Sequence, residues 1–408
     1  MNDLTNASIR EAELAHASGC YPTKDIAIVR GAGAHLWDAD GKEYIDCASG
    51  HGVASVGHAH PAVVEAVQRQ VATLVTCAGS FPNDQRAALQ TLLCSLLPEG
   101  FERLFLCNSG TEAVEGALKF ARLSTGRTGL VAAQRGFHGR TMGALSCTWD
   151  KKYREPFAPL IGDVRHAAYD DLAAFDAAID EQTAAVLIEV VQGEGGVRLG
   201  SPEFLKGVEA LCRERGALLI VDEVQSGIGR TGRMFAFEHY DLHPDLIAMG
   251  KAVGGGLPMG AVGIGPCIHP IAMGSHGSTF GGNPLTCAAS IAALGALVGD
   301  GLVERAAELG ERFMERLRAI DSPRIREVRG LGLMVAVDLR ERSAGYLKAL
   351  QARGVIAIPA GPTVIRFLPP LVIEEADLMR VADELEAVLA AGPAPKAAAP
   401  ASTTEASR

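Results

Sequence analysis

The chain contains the stretch Ala217-Leu-Leu-Ile-Val-Asp222, in which a run of apolar residues ends on a carboxylate. A second apolar run, Leu246-Ile-Ala-Met-Gly-Lys251, ends on a lysine and leads into three glycines, 254–256. Short continuous apolar runs are typical of strands that are buried on both faces of a parallel sheet. Ligands of open α/β sheets bind beyond the carboxyl ends of the strands, so Asp222 and Lys251 are predicted to lie at a binding site.

A lysine and a carboxylate at one site suit the chemistry of an aldehyde cofactor that carries a pyridine ring. The lysine amine binds the aldehyde covalently, and the carboxylate holds the pyridine nitrogen protonated. Pyridoxal 5'-phosphate has both features. Taken alone, the pair fits equally well a strand-end Asp222 and a surface Lys251 that never meet, so the rest of the chain must decide.

Composition and charge narrow the class of protein. The formal net charge of -10 is spread along the 408 residues, which argues against nucleic acid as a partner. The nine cysteines form no C-x-x-C pair, so we expect free thiols, a cytoplasmic location and no metal site. The N-terminus lacks the basic and apolar regions of a signal peptide, so secretion is not expected. The stretch Leu285 to Gly299 is shorter than the ~20 residues of a membrane span and predicts a tightly packed internal helix.

Apolar runs of strand length alternate with helical segments, which predicts an α/β fold with a mainly parallel mixed sheet flanked by helices. Its strand candidates are 104–106, 129–132, 184–191, 217–221, 246–249 and 261–264.

From about residue 300 the pattern changes to amphipathic helices around strand candidates at 332–337 and 363–368, which indicates a smaller α+β domain. The N-terminal stretch 27–45 is typical of a strand meander that joins it. We expect the division 1–50 (small domain), 51–290 (large cofactor-binding domain), 291–391 (small domain) and 392–408 (disordered tail).

The segment Cys107-Asn-Ser-Gly-Thr-Glu112 follows a strand candidate and opens a predicted helix, 112–123. Ser109, Gly110 and Thr111 would present backbone N–H groups and hydroxyls at the helix N-terminus, where an anion such as a cofactor phosphate binds. A plain N-cap by Ser109 or Thr111 is the alternative.

The loop Gln134-Arg-Gly-Phe-His-Gly-Arg-Thr141 is interrupted by glycines and follows another strand candidate. Phe137 would stack on a planar cofactor there, and Arg140 would bind a carboxylate through its planar fork. An ordinary turn whose arginine pairs with a surface acid also fits, and His138 alone is more often a loop histidine than a catalyst.

Two carboxylates lie in Ile188-Glu-Val-Val-Gln-Gly-Glu-Gly-Gly196. Glu189 interrupts an apolar strand candidate and needs hydrogen bonds or a cation, because a buried unpartnered carboxylate is costly. Glu194 follows in a glycine-rich loop from which it can reach the site. The spacing also resembles a glycosidase carboxylate pair, but nothing else in the chain supports sugar chemistry.

Two glycine-containing motifs and one arginine also carry candidate functions. Gly227-Ile-Gly-Arg-Thr-Gly232 has the G-x-G-x-x-G pattern, but it is separated from its strand and opens no clear helix, as a dinucleotide site requires. Gly250-Lys-Ala252 lacks the Ser or Thr of a P-loop. Arg366 lies among apolar neighbours on a strand candidate, so it needs an anionic ligand or, alternatively, a structural salt bridge.

Together these pieces resemble the class III, or subgroup II, aminotransferases of the fold type I pyridoxal phosphate enzymes. The stretch Leu219-Ile-Val-Asp-Glu-Val-Gln-Ser-Gly-Ile-Gly-Arg-Thr-Gly232, continuing to Gly250-Lys251, is similar to the signature of that family. The resemblance covers about residues 20–391. It implies a homodimer with shared active sites.

The resemblance also implies a role for each matching residue. Lys251 would bind the cofactor and transfer the proton, Asp222 would pair with the pyridine nitrogen, and Gln225 would contact the ring hydroxyl. Thr279 would reach the phosphate of the other subunit. Val224 and Phe137 would sandwich the ring, Gly110 and Thr111 would hold the phosphate, and Ser109, His138 and Glu189 would add cofactor contacts.

Within the class, the chain is most similar to the acetylornithine aminotransferase branch, especially to enzymes of lysine synthesis that use an amino-group carrier protein. Arg366 would then bind the α-carboxylate of glutamate, Arg140 would bind a distal carboxylate, and Glu194 would neutralise Arg366 for the other substrate. Tyr21 and His51 would also contact substrate, although the tyrosine of ornithine aminotransferases at the position of His51 counts against free ornithine. The stretches that carry this resemblance are 135–141, 151–156 and 360–371.

The predicted reaction moves the terminal amino group of an N-acylated basic amino acid to 2-oxoglutarate, giving a semialdehyde and glutamate. A donor bound to a small acidic carrier protein of the LysW type is favoured, and acetylornithine or acetyllysine is the alternative. Free ornithine, 4-aminobutyrate, or another pyridoxal phosphate reaction such as that of a decarboxylase, racemase or aminomutase is less favoured. An NAD oxidoreductase and a non-catalytic binding protein fit worst.

Overall fold

The computed structural model describes residues 4–394, so the predicted tail lies almost entirely outside the described residues. The strands are β1 (Ile28–Ala32), β2 (His35–Asp38), β3 (Glu43–Asp46), β4 (Arg103–Cys107), β5 (Gly129–Ala133), β6 (Val164–Ala167), β7 (Thr183–Ile188), β8 (Val191–Gln192), β9 (Arg198–Leu199), β10 (Leu218–Asp222), β11 (Leu246–Met249), β12 (Gly260–Ile264), β13 (Ile325–Leu331), β14 (Met334–Leu339), β15 (Val355–Ile356), β16 (Ile358–Pro359) and β17 (Val364–Phe367). The α-helices are α1 (Asn6–Leu14), α2 (Ser49–Gly52), α3 (Pro61–Val71), α4 (Asp84–Leu96), α5 (Gly110–Thr125), α6 (Met142–Cys147), α7 (Lys151–Arg154), α8 (Leu172–Ala178), α9 (Pro202–Arg215), α10 (Pro284–Gly299), α11 (Leu302–Arg318), α12 (Ala344–Ala352) and α13 (Glu375–Ala391).

The central sheet has seven strands in the order β4-β12-β11-β10-β7-β5-β6. Its neighbouring strands are parallel except at β12, which is antiparallel to both β11 and β4. Every residue of β5, β7, β11 and β12 is buried, because helices cover both faces of the sheet. The predicted α/β class with a mainly parallel sheet is confirmed.

The strand predicted at 184–191 is broken in the structure after Ile188. The carboxylate of Glu189 accepts hydrogen bonds from the backbone N–H of Phe137 and Gly193, at 3.1 and 3.3 Å. The Tyr169 hydroxyl donates to the Glu189 carbonyl at 3.0 Å. These local partners take the place of sheet hydrogen bonds, so Glu189 lies just beyond the strand and does not interrupt it.

Two smaller sheets flank the central one. The predicted meander exists as β1-β2-β3, and β15 from the C-terminal part of the chain adds to it, parallel to β3. An antiparallel sheet of order β13-β14-β17-β16 carries Arg366 on β17. Strand β13 was not among the strand candidates because its residues Ile325–Leu331 alternate with charge and are mostly part-exposed. The proposed division at residues 50 and 290 stays a prediction.

Arg230 joins the loop after β10 to the antiparallel sheet. Its side chain is 1% exposed and donates to the carbonyls of Leu333 and Pro369. The N–H of Leu333 donates in turn to the Arg230 carbonyl at 3.0 Å. The G-x-G-x-x-G pattern is therefore a turn that packs against other backbone, and no helix opens in it.

Helix α10 is the internal helix predicted from its sequence. Nine of its residues are buried, and it follows the N-cap Asn283, whose side chain accepts from the N–H of Thr286. No single helix within residues 4–394 has the length and apolar character to cross a membrane. The pair α10 and α11, bent by 61°, meets the criterion by length and composition only.

Candidate active site

Asp222 ends β10 and is paired with a histidine from the loop after β5. His138 Nδ1 donates to Asp222 Oδ2 at 2.8 Å, and the N–H of Val224 donates to Asp222 Oδ1 at 3.0 Å. Burial lowers the pKa of His138, but the hydrogen bond to Asp222 and its negative charge outweigh it, so the pKa lies above its ordinary value. The carboxylate is thus fixed in direction by two donors, the His138 ring and the Val224 N–H.

Lys251 follows β11 and opens a short 3-10 helix, Lys251–Gly254, with a φ of 48°. Its backbone passes close to α5, because a Cβ on Gly250 would lie 2.9 Å from the Gly110 Cα. Burial lowers the pKa of Lys251, and the charges of Asp222 and Glu194 oppose that shift. The amine therefore loses its proton more readily than a surface lysine, which favours the neutral form that acts as a nucleophile.

Most of the predicted site residues meet around one cavity of about 270 Å³, here called the inner cavity. Its lining contains Gly110, Thr111, Phe137, His138, Arg140, Glu189, Glu194, Asp222, Val224, Gln225 and Lys251. Ser226 and Val191 also line it and were not predicted, because neither carries a chemical signal in the sequence.

The N-terminus of α5 borders the inner cavity. The helix begins two residues earlier than predicted, and Ser109 is its N-cap, with Oγ accepting from the N–H of Glu112 at 3.3 Å. Thr111 Oγ1 lies 2.8 Å from Thr141 Oγ1. Gly139 has a φ of 133°, and a Cβ there would lie 2.2 Å from Thr111 Oγ1, so glycine is required. Free N–H groups and a helix dipole make this end a fit for a phosphate.

Aromatic and cationic side chains form one side of the cavity mouth. Phe137 lines the cavity and packs edge-to-face on Tyr153, with ring centroids 5.6 Å apart. The guanidinium of Arg140 lies 4.9 Å from the Tyr153 ring centroid. Tyr153 was not predicted as a site residue, because a tyrosine between two basic residues is typical of an ordinary surface helix.

Glu194 and Arg366 form an ion pair at the inner cavity, which Glu194 lines. Arg366 Nη2 donates to Glu194 Oε1 at 2.6 Å, and Arg366 Nη1 donates to Gln225 Oε1 at 2.8 Å. Burial raises the pKa of Glu194, but the charge of Arg366 and its hydrogen bond outweigh this and lower the pKa overall. The Arg366 side chain is fully buried, whereas that of Glu194 keeps 33% exposure. The buried Arg366 side chain is thus held in place, whereas the Glu194 side chain, in its glycine-rich loop, is partly exposed to solvent.

Two predicted site residues, Tyr21 and Thr279, lie away from the inner cavity. Tyr21 is 77% exposed and does not line it. Thr279 is exposed in the segment between β12 and α10. His51 is exposed in α2, where it has a φ of 64°, but it lies near the site. Burial and the charge of Arg366 lower the pKa of His51, and a Cβ on the next residue, Gly52, would lie 3.9 Å from Gln225 Cγ.

Comparison with known proteins agrees with this geometry. The model of the family described as Aminotransferase class-III matches residues 17–389. The chain is a class-III aminotransferase. It is 50% identical to the [LysW]-aminoadipate semialdehyde transaminase of Deinococcus radiodurans, over 93% of this chain and 89% of the relative. It is 46% identical to the acetylornithine aminotransferase of Methanopyrus kandleri, over 91% of this chain and 96% of the relative.

Solved structures of the family share the fold of this aminotransferase. The ornithine aminotransferase of Toxoplasma gondii superposes with a TM-score of 0.91 at 33% identity, covering 95% of this chain and 96% of the other. The acetylornithine aminotransferase of Elizabethkingia anophelis gives a TM-score of 0.86 at 34% identity, with coverages of 95% and 100%. The predicted fold type I, the aminotransferase activity and the cofactor pyridoxal phosphate are confirmed.

Proposed function

We propose that this aminotransferase moves the terminal amino group of an N-acylated basic amino acid to 2-oxoglutarate, with the donor bound to a small amino-group carrier protein. The Glu194–Arg366 pair carries the proposal, because a buried arginine with a removable acidic partner can serve two unlike substrates. The relative from Deinococcus radiodurans supports a carrier-bound donor. The Methanopyrus kandleri relative supports acetylornithine as the alternative donor.

The cofactor roles follow from the inner cavity. Bound pyridoxal phosphate supplies an aldehyde that accepts the amino group and a ring that withdraws electrons from the reacting carbon. Asp222, supported by His138, keeps the ring nitrogen protonated. Lys251 would take the proton from the reacting carbon and return it, and burial, which lowers the pKa of its amine, favours the neutral form that this role requires. Gly110 and Thr111 bind the phosphate.

Further residues complete the proposed cofactor site. Phe137 and Val224 enclose the two faces of the ring, since both line the inner cavity. Ser109 caps the phosphate-binding helix end, and Glu189 fixes the loop that carries Phe137 through the N–H of that residue. Gln225 accepts from Arg366 through Oε1, and its amide nitrogen is the group that would donate to the ring hydroxyl.

The substrate roles divide between two arginines. Arg366 binds the α-carboxylate of glutamate after Glu194 turns away. For the other substrate, Glu194 returns and neutralises Arg366, since a desolvated unpaired arginine costs several kcal/mol. Arg140, exposed at the mouth, binds the distal carboxylate. His51 and Tyr21 are proposed contacts of the outer part of the donor.

We infer a homodimer in which each subunit completes the site of the other. Thr279 is exposed in the single chain, and the neighbouring Phe280 is 60% exposed. In such a dimer the Phe280 side chain would be covered by the other subunit.

We place the enzyme in the cytoplasm, because the nine cysteines are all free, as expected in a reducing compartment.

A comparison of amino donors tests the proposed function. The wild-type enzyme is given 2-oxoglutarate with acetylornithine, acetyllysine, free ornithine or a carrier-linked lysine, and the glutamate formed is measured. We expect the carrier-linked donor to give the highest kcat/KM and free ornithine the lowest. Lys251→Ala is the inactive control. A preference for free ornithine would overturn the proposal.

A further inference from the structure

The buried ring of His138 has two nitrogens, and only one of them has a hydrogen-bond partner in the described chain. Nδ1 donates to Asp222 Oδ2 at 2.8 Å, and the side chain is fully buried. Nε2 is also buried, and it has no hydrogen-bond partner within residues 4–394. A polar atom left unpaired in the protein interior costs free energy, so the groups around Nε2 determine whether the ring is neutral or positively charged.

The carboxylate of Glu189 lies close to this second nitrogen. A Cβ added to Gly136 would lie 3.0 Å from His138 Nε2 and 3.5 Å from Glu189 Oε2. The imidazole and the carboxylate therefore border the same glycine, which has no side chain to separate them. Opposite charges that lie this close together in a buried site attract each other strongly.

Hydrogen bonds hold the Glu189 carboxylate in place but do not neutralise it. Its Oε2 accepts from the N–H of Phe137 at 3.1 Å, and its Oε1 accepts from the N–H of Gly193 at 3.3 Å. Both donors are uncharged backbone groups. Burial raises the pKa of Glu189, and the positive charge of His138 opposes that shift. The ionised form of each group is thus favoured by the ionised form of the other.

The other titratable groups beside this pair are poor substitutes for a positively charged imidazole. Burial raises the pKa of Tyr169, whose hydroxyl donates to the Glu189 carbonyl at 3.0 Å, so this hydroxyl stays neutral. Burial lowers the pKa of His166 to about 4, so its ring is uncharged at neutral pH. Lys251 is not a permanent cation, because its amine binds the cofactor aldehyde. His138 therefore remains the group that can balance the charge of Glu189.

We propose that Glu189 keeps both nitrogens of His138 protonated, and that the resulting imidazolium holds Asp222 ionised against the cofactor ring nitrogen. Glu189 is thus a positioning residue that acts on the cofactor through His138, in addition to fixing the loop of Phe137. Two carboxylates and one imidazolium leave one negative charge beside the ring nitrogen, whereas His138 and Asp222 alone would leave none. The proton on that nitrogen is therefore held more tightly when Glu189 is ionised. This inference rests on the proposed role of Asp222.

Nuclear magnetic resonance of the holoenzyme with isotope-labelled histidine tests the charge of His138 directly. The signals of this ring are identified by their loss in His138→Gln. We expect both ring nitrogens of wild type to carry a proton at pH 7. Glu189→Gln, which keeps an acceptor for a backbone N–H, should lose one of these protons at a pH that is lower by about one unit or more.

Two further variants separate the effect of charge from that of packing. Glu189→Asp keeps the negative charge, so its His138 titration should lie closer to that of wild type than the titration in Glu189→Gln does. Glu223→Gln is the matched control, because Glu223 is also a buried glutamate, but its carboxylate accepts from Ser226 and from the N–H of Phe237. This control should leave the His138 titration unchanged.

The ring nitrogen of the cofactor provides a second measurement. With pyridoxal phosphate that is isotope-labelled at this nitrogen, the proton should be lost at a lower pH in Glu189→Gln than in wild type. Single-turnover rates should fall in both half-reactions, but by less than in Asp222→Asn, because the carboxylate that pairs with the ring remains.

The outcomes distinguish a failure of this inference from a failure of the proposed function. A neutral His138 ring in wild type at pH 7, or identical His138 titrations in wild type and Glu189→Gln, would overturn the role of Glu189 alone. The wild-type spectrum decides this even if Glu189→Gln does not fold. A ring nitrogen whose protonation is unchanged in Asp222→Asn would overturn the proposed role of Asp222 and this inference together.

Discussion

His138 Nδ1 lies 2.8 Å from Asp222 Oδ2, so the carboxylate at the end of the central strand is held by a buried imidazole. We expect Asp222→Asn to slow both half-reactions by about two orders of magnitude or more, because an amide cannot hold the ring nitrogen protonated. Single-turnover absorbance measurements would show it. His138→Gln, which leaves the carboxylate in place, should cost less. An Asp222→Asn enzyme with near wild-type rates would exclude Asp222 as the ring partner.

Thr279→Ala should weaken cofactor retention, because the residue is proposed to bind the phosphate in the other subunit. Mixed dimers of one Lys251→Ala chain and one Thr279→Ala chain provide the test. If Thr279 acts across the interface, one of the two sites keeps both residues and retains cofactor as in wild type. A fully active monomer, or mixed dimers without an intact site, would contradict the assignment.

Arg230→Met should lower the free energy of unfolding by about 2–4 kcal/mol, because the buried carbonyls of Leu333 and Pro369 lose a charged donor. Pro369 lies three residues after Arg366, so the KM for glutamate should rise more than the KM for the donor. Urea unfolding and steady-state kinetics measure both effects. Arg233→Met, an exposed arginine of the same loop, is the control. Equal stability of the two variants would count against this role.

The buried carboxyl group of Glu223 should make the free energy of unfolding depend on pH. Ser226 Oγ and the N–H of Phe237 donate to its carboxylate at 2.7 and 2.9 Å, yet burial raises its pKa to about 7. Because the folded pKa exceeds the ordinary value of 4.5, this contribution to stability is complete below pH 4.5 and is lost as the pH rises through about 7.

As the pH rises from 5 to 8, the free energy of unfolding of Glu223→Gln should therefore increase relative to that of wild type, by up to about 3 kcal/mol. Unfolding free energies of both proteins across this range measure the gain. The surface variant Glu203→Gln should follow the wild-type curve. Parallel curves for Glu223→Gln and wild type would show that the carboxyl does not titrate in this range.

The sequence located the strand ends because continuous apolar runs define buried strands. The β11 run 246–249 matches its strand at both ends, and the run at 217–221 is shifted by one residue. From the sequence alone, Asp222 and Lys251 could therefore be predicted to lie at one edge of the sheet. The antiparallel direction of β12 could not be predicted from the sequence, since a continuous apolar run has the same pattern in either strand direction.

Hydrogen bonds between residues that lie far apart in the chain could not be predicted from the sequence. His138 and Asp222 are 84 residues apart, and Arg366 and Gln225 are 141 apart. Hydrophobic periodicity predicts helices and strands but does not indicate which polar side chains will come into contact. The same limit explains Arg230, whose partners are backbone carbonyls without any residue-specific signal.

We propose that one arginine, Arg366, serves two substrates because Glu194 masks it for only one of them. Single-turnover rates of the two half-reactions in Glu194→Gln test this directly. We expect a marked slowing with the ω-amine donor, by about tenfold or more, and an unchanged or faster reaction with glutamate, because Arg366 is left bare. Arg366→Met should show the reverse pattern. Equal losses in both half-reactions of Glu194→Gln would show that Glu194 does not mask Arg366 and is a structural residue.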